Sequence, residues 1–496
     1  MTSDASLRLT RAERREARRA APRHGRRPAA FGAGTAAGIA VRTMCAALVA
    51  AVITVSAGVG TTVVATAAVA PTPVPTTPTP TEDPRIVADE PVPAAAPRTC
   101  SVAAAAADPR LATLQAQVRN ADTGEILFDR AGAVPNRTAS TLKVVTSAAA
   151  LAVFGADHRF ETRVVAGAEP GTIVLVGGGD VTLSRLPSGQ PSVYRDTAHL
   201  DDLAARTLAG WTAAGHTEPV TRIMLDSSLF GDDSWRPDWN PNAPAEGYHT
   251  PVTALQVDGD REDPTKKGSF RGTDPIGRTG EAFARYFPGA TLTTGVAPAG
   301  ADELASVPSP TVGSLVGDTL LHSDNMVAEM LARLVSIELG TGNTFASLQE
   351  AIPTALADYG IPTDGLTIAD GSGLSTANAV PPAYLTRLLG LVEDGVGELE
   401  AVEAGLPVAG ETGTLDEDGR FTGDSAAAVG HIRAKTGYIR SAYALSGIID
   451  AADGSTLVFT IFALGTVGEN LPPSTMMGVD ALATAFYRCG DTLSNR

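Results

Sequence analysis

Four of the 38 basic residues in this chain are lysines: Lys143, Lys266, Lys267 and Lys435. Where arginine supplies nearly all the positive charge, a retained lysine points to work that arginine cannot do. Proton transfer is one such task, because a desolvated lysine can be neutral at working pH and an arginine cannot. Lys143 stands three residues after Ser140, at the start of an apolar run that reads as a helix, so amine and hydroxyl share one helix face. A serine at that helix end can be deprotonated by a neutral amine and attack a carbonyl, and the helix dipole favours the developing alkoxide. A second set, Ser323-Asp324-Asn325, opens a long predicted helix, and a third, Lys435-Thr436-Gly437, closes a predicted strand. Each has a plainer reading alone. Ser140 would cap its helix with Lys143 on the surface, Ser, Asp and Asn are the preferred helix caps, and Thr-Gly is an ordinary strand-to-turn step.

The elements that must hold these residues are legible as changes of period. Leu114 to Arg119 and Glu125 to Arg130 read as strands around the turn Asp122-Thr123-Gly124. From Ser140 the pattern becomes helical, with Leu142, Val145, Ala149 and Ala152 on one side, and stops at Gly155. The middle, about His158 to Gly300, alternates short strands (Thr172 to Val176, Arg222 to Leu225) with a helical stretch, Leu200 to Ala214, and reads as an inserted domain. The helix from about Asn325 to Leu339 carries an apolar stripe of Val327, Met330, Leu331 and Leu334. Three strands follow, His431 to Thr436, Ala444 to Ile449 and Leu457 to Ala463, the last two joined through Asp453-Gly454, and a closing helix runs from about Met477 to Arg488. Strands at both ends with helices between them predict one antiparallel sheet assembled from both ends of the chain, an α+β core flanked by helices. No repeat is evident.

The chain has 496 residues, enough for two or three domains, and a net charge of −17. Met1 to Thr43 holds ten arginines against three acids, so the remainder carries −24. A globular part that acidic argues against a nucleic-acid partner, which needs a clustered basic surface. Residues 1–43 read as a basic cytoplasmic arm. Residues 44–70 read as a signal or transmembrane segment, cleaved near Ala68-Val69-Ala70 or retained as an anchor with the catalytic part outside. Residues 71–98, with nine prolines from Pro71 to Pro97, read as an extended spacer. The chain is thus expected outside the cytoplasm, in the cell envelope, anchored or secreted. In an exported protein Cys100 and Cys489 are expected to form a disulfide, the alternative being two independent buried thiols. Seven scattered histidines without HExxH or CxxC give no support to a metal, and no cofactor is implied.

The three sets stand in order: SxxK, then SxN 183 residues later, then KTG 112 residues after that. This is the signature of penicillin-binding proteins and serine β-lactamases. From about Leu114 to Phe486 the chain resembles the class C low-molecular-mass penicillin-binding proteins, which are D-Ala-D-Ala carboxypeptidases and endopeptidases. The similar stretches include Asp122-Thr123-Gly124, Gly177-Gly178-Gly179-Asp180, Leu225 to Phe230 with Trp235, Asp370 to Ser375, Leu406 to Gly410 and Arg433 to Gly437. The resemblance implies a penicillin-binding, β-lactamase-like fold, with the DD-peptidase domain at 99–160 and 301–496 and an accessory domain at 161–300. It implies Ser140 as nucleophile, Lys143 as its base, Ser323 and Asn325 relaying a proton and positioning the peptide, and Lys435, Thr436 and Gly437 at the substrate's terminal carboxylate. The N–H groups of Ser140 and Tyr438 would form the oxyanion hole. Two departures stand out. Tyr438 occupies a position where Thr or Ser is common, and the short spacing from Leu255–Asp260 to Asp274-Pro275 leaves room for one accessory domain, not two.

The function the resemblance implies is removal of the terminal D-Ala from peptidoglycan stem peptides, with cutting of cross-links as a second activity, through an acyl-serine trapped by β-lactams. A serine β-lactamase is the enzymatic alternative. Class A members use a Glu in an E-x-x-L-N loop, and none follows Asn325, where Glu329 and Glu338 belong to the helix. A catalytically idle wall-binding scaffold is the other alternative, opposed by the retention of two of the four lysines in intact motifs.

Overall fold

The computed structural model describes residues 97–416 and 419–495. The basic arm, the apolar segment and all but the end of the proline-rich spacer lie outside the described residues. Among the described residues no helix is long and apolar enough to cross a membrane.

In chain order come β1 (Cys100–Ser101), β2 (Thr113–Asn120), β3 (Ile126–Arg130) and the helix α1 (Leu142–Phe154), followed by β4 (Glu161–Ala166), β5 (Thr172–Val176), β6 (Arg222–Asp226), β7 (Thr291–Thr294) and β8 (Glu303–Pro308). The long helix α2 (Asn325–Glu338) precedes β9 (Ile432–Ile439), β10 (Ala442–Asp450), β11 (Thr456–Leu464), the closing helix α3 (Ser474–Cys489) and β12 (Leu493–Ser494). The turn after β2 forms because the Asn120 Oδ1 accepts from the N–H groups of Asp122 (2.8 Å) and Thr123 (3.0 Å). Gly124 then takes a left-handed conformation, φ 71°.

The main sheet has the order β3-β2-β11-β10-β9 and every pairing in it is antiparallel. Both ends of the chain thus contribute to one sheet, as the two groups of strands predict. β11 is an unbroken apolar and Thr run, buried throughout. Its alternate side chains part to opposite faces: Leu457, Phe459, Ile461 and Ala463 pack with Val479, Leu482 and Phe486 of α3, while Val458 and Phe462 join the core around α1 and α2. Each buried Phe contributes roughly 1.5–3 kcal/mol. The helix α2 is buried on all sides from Asn325 to Ser336, beyond the one-sided stripe its sequence shows. Even Arg333 is inside, paired to Asp233 at 2.9 Å and stacked over the Phe345 ring at 3.8 Å.

The second sheet, ordered β7-β6-β5-β4-β8, mixes antiparallel pairs (β5-β4, β4-β8) with parallel ones (β5-β6, β6-β7). The helices Leu200–Ala213 and Pro275–Ala284 contribute Leu203, Trp211 and Phe283 to its core. The sheet closes on β8, beyond the boundary at residue 300 expected from sequence. As an edge strand β8 buries only Ala305 and Val307 fully, too weak an alternation to mark it. Cys100 and Cys489 form a disulfide with a Cα separation of 5.5 Å, and β1 pairs in parallel with β12 beside it. Two free thiols are thereby excluded.

Candidate active site

Ser140 does not cap its helix. It sits in a tight turn, Ala139–Thr141, ahead of α1, and no side chain caps α1; Thr141 instead donates its hydroxyl to the Thr138 carbonyl at 2.8 Å. Ala139 is held in the left-handed region, φ 46°, and is fully buried, a conformation that persists only when the surroundings enforce it. Lys143 is not on the surface either. It is fully buried, and its Nζ lies 2.8 Å from Ser140 Oγ, 2.7 Å from Asn325 Oδ1 and 2.7 Å from the Ser372 carbonyl.

These three partners set the chemistry. The Asn325 amide is oriented by its Nδ2, which donates to the Tyr248 carbonyl at 2.8 Å, so Oδ1 must face the lysine. When Lys143 loses a proton, its two remaining hydrogens are taken by Asn325 Oδ1 and the Ser372 carbonyl, and the lone pair points at the Ser140 hydroxyl. Burial lowers the lysine to about 8, against the opposing pull of Glu329, Asp370 and Asp324. A neutral amine aimed at a serine is an activated nucleophile.

In the second motif the capping role falls to Asp324 alone, whose Oδ1 accepts from the Met326 and Val327 N–H groups at 2.9 and 3.1 Å. That releases Asn325 to face Lys143 and leaves Ser323, half-buried, in a left-handed conformation, φ 56°. Asp324 is also clamped from the β5–β6 and β6–β7 connections. Its Oδ2 meets Arg261 Nη2 at 3.0 Å and the Tyr194 hydroxyl at 3.1 Å. Though burial opposes it, Arg261 and Arg271 hold this carboxyl well below the usual range.

The third motif lies on β9, at the edge of the main sheet. A Cβ on Gly437 would stand 3.0 Å from the Thr138 carbonyl oxygen and 3.1 Å from Ala139 Cβ, so a residue without a side chain lets β9 press against the Ser140 turn. Lys435 is fully buried and donates from Nζ to the Thr436 carbonyl at 2.8 Å. Burial, with the charges of Lys143 and Arg420, lowers it well below an ordinary lysine. The Thr436 hydroxyl meets that of Thr414 at 2.7 Å. Tyr438, two residues on and on the same strand face, is 52% exposed and lies 4.7 Å from the Tyr443 ring across the ladder.

Sequence reasoning gave no role to the residues that back this site. The turn Asp370 to Gly373 is braced by Asp370, which accepts from the N–H groups of Gly373 (2.8 Å) and Ser375 (2.6 Å), Asn378 Nδ2 (2.7 Å) and Trp239 Nε1 (2.8 Å). Gly373 has φ 85°, and a Cβ there would meet the Ala139 carbonyl oxygen at 2.0 Å. The Asp-Gly-Ser-Gly run was a visible signal for a turn, but its partners were not.

A buried serine and lysine joined to an asparagine from a second helix, beside the edge strand of an antiparallel sheet, form the geometry that a serine acyl-enzyme of the penicillin-binding type requires. The chain belongs to the D-Ala-D-Ala carboxypeptidase 3 (S13) family, which it matches over residues 99–286 and 265–486. It is 32% identical over 418 residues to carboxypeptidase DacB of Mycolicibacterium smegmatis, covering 83% of this chain and 88% of that protein. It is 28% identical over 448 residues to the D-alanyl-D-alanine carboxypeptidase of Actinomadura sp. (strain R39), covering 73% and 78%. The crystal structure of penicillin binding protein 4 (dacB) from Haemophilus influenzae shares the fold, with a TM-score of 0.62 at 19% identity over 76% of this chain and 96% of that one.

Proposed function

We propose that the protein is a serine-type D-Ala-D-Ala carboxypeptidase that acts on peptidoglycan stem peptides outside the cytoplasm. The observation that carries this reading is the Lys143 amine 2.8 Å from Ser140 Oγ, with both its other hydrogens taken. Ser140 Oγ attacks the carbonyl of the penultimate D-Ala while its proton passes to Lys143. The oxyanion is received by the N–H groups of Ser140 and Tyr438. The C–N bond breaks, the terminal D-Ala leaves with a proton relayed through Ser323, and water then hydrolyses the acyl-serine. Thr436, backed by the buried Lys435, receives the substrate's terminal carboxylate. Segment 407–409 bonds to β9 only at Ile432 and Ala434, so the backbone from Lys435 onward suits an extended peptide added as a further strand.

The same residues cleave a cross-link when the leaving group is the amine of a neighbouring stem peptide, and a β-lactam acylates Ser140 by opening its ring. Slow deacylation, and hence trapping by the drug, is favoured over β-lactamase activity. The two carboxylates whose charges bear on Lys143 most, Glu329 and Asp370, are fully buried and engaged by backbone N–H groups, which leaves neither as a base for a hydrolytic water. The test is release of D-Ala from a stem-peptide mimic by the purified extracytoplasmic part, alongside acylation by a labelled penicillin. Absence of both activities would overturn the reading, and rapid turnover of the penicillin would favour the β-lactamase.

A further inference from the structure

Glu329 lies one turn along α2 from Asn325 and is fully buried. Its two oxygens face neither solvent nor a cation within bonding distance. Oε2 accepts from the Gly371 N–H at 2.9 Å and Oε1 from the Ser372 N–H at 2.8 Å. The peptide they grip ends in the Ser372 carbonyl, which accepts from Lys143 at 2.7 Å. From the other side Thr146, on α1 with Lys143, donates its hydroxyl to the Gly371 carbonyl at 2.7 Å. The segment that leads into this acceptor is therefore held from two helices.

We infer that Glu329 is a positioning residue for Lys143: by fixing the Gly371–Ser372 peptide it presents the Ser372 carbonyl that aims the lysine's lone pair at Ser140. The inference rests on the proposed role of Ser140 and Lys143. A carboxylate suits the task because both its oxygens accept, whereas an amide would turn one N–H₂ against a backbone N–H. Its charge also acts on the lysine. Lys143 faces Glu329, Asp370 and Asp324, which favour its protonated form, and it bears in turn on His249 and Lys435. Glu329 faces Asp370, Lys143 and, one turn on, Arg333. Burial and Asp370 raise Glu329 to about 7.

The test is Glu329→Gln in the full chain, read by the pH dependence of penicillin acylation and by thermal melting. The inference requires acylation slowed by about tenfold or more at the optimum, since a displaced acceptor misaligns the base. It also requires an acid limb moved to lower pH by at least about 0.5, because a carboxylate that held the lysine's proton is gone. A folded variant whose acid limb stays in place overturns the inference. Thr146→Val keeps the charge and nearly the volume while freeing the Gly371 carbonyl. It is expected to slow acylation with the limb unmoved, and a parental rate in this variant overturns the inference even when Glu329→Gln does not fold. Lack of any Ser140 adduct in the parent protein is a separate result that removes the proposed function itself.

Discussion

Lowering the pH from 8 to 6 is expected to slow acylation of Ser140 about fiftyfold through the titration of Lys143. Lys143 is lowered to about 8 from the ordinary 10.5, chiefly by burial. About half of the molecules then hold a neutral lysine at pH 8 and about one in a hundred at pH 6. At pH 7 the neutral share is about a tenth, some three hundredfold more than about 0.03% for an ordinary lysine. Stability runs with the same titration. The unfolded chain keeps its lysine at the higher value, so between pH 8 and 10.5 it binds more protons than the native state, and this group's contribution improves as pH rises. Below pH 8 the buried amine costs about 3 kcal/mol. The assay is stopped-flow acylation by a chromogenic cephalosporin from pH 5.5 to 9, with Lys143→Met as the inactive control. An acylation rate that is flat from pH 6 to 8 would refute the reasoning, since among the described residues Lys143 is the group hydrogen-bonded to Ser140 Oγ.

Other outcomes follow from the surroundings of the site. Lys435→Ala is expected to raise KM for peptides with a free terminal carboxylate more than for amidated ones, and equal effects on both would remove Lys435 from carboxylate recognition. Arg261→Met leaves the buried Asp324 carboxylate with Arg271, at 4.0 Å, as its remaining cation and is expected to cost up to about 3–5 kcal/mol; a melting temperature equal to the parent's would contradict that clamp. Reducing the Cys100–Cys489 disulfide, which closes a sequence span of 389 residues, is expected to cost up to about 6 kcal/mol. That is an upper value because unfolded chains stay compact. Turnover at low temperature should survive reduction, because neither cysteine belongs to any of the three motifs, and loss of activity with the fold intact would sink this separation.

What could be read from the sequence was what is local. β10 and β11 announce themselves as long apolar runs around Asp453-Gly454, and Ser140 and Lys143 are only three residues apart. The residues that complete the site are remote in sequence and act through groups that carry no letter. Lys143 finds the Ser372 carbonyl 229 residues away, and Asn325 is oriented by the Tyr248 carbonyl 77 residues back. A backbone oxygen is present at every position, so only the fold says which one matters. Glu329 was visible as a helix residue, yet its two backbone partners lie 42 and 43 residues downstream across a turn. The capping preference of Ser323-Asp324-Asn325 was real, but the structure assigns it to Asp324 and turns Asn325 toward Lys143. The boundary of the second sheet slipped for a related reason: β8 is recognised by its pairing with β4, not by its composition.

The central claim is that Ser140 is the residue that becomes acylated. It is tested most directly by incubating the protein with a labelled penicillin, digesting it and locating the label by mass. One adduct, on the peptide that carries Ser140 and absent from a folded Ser140→Ala variant that also releases no D-Ala, is the expected result. Label on another residue, or a Ser140→Ala variant that is acylated and releases D-Ala at the parent rate, would contradict it.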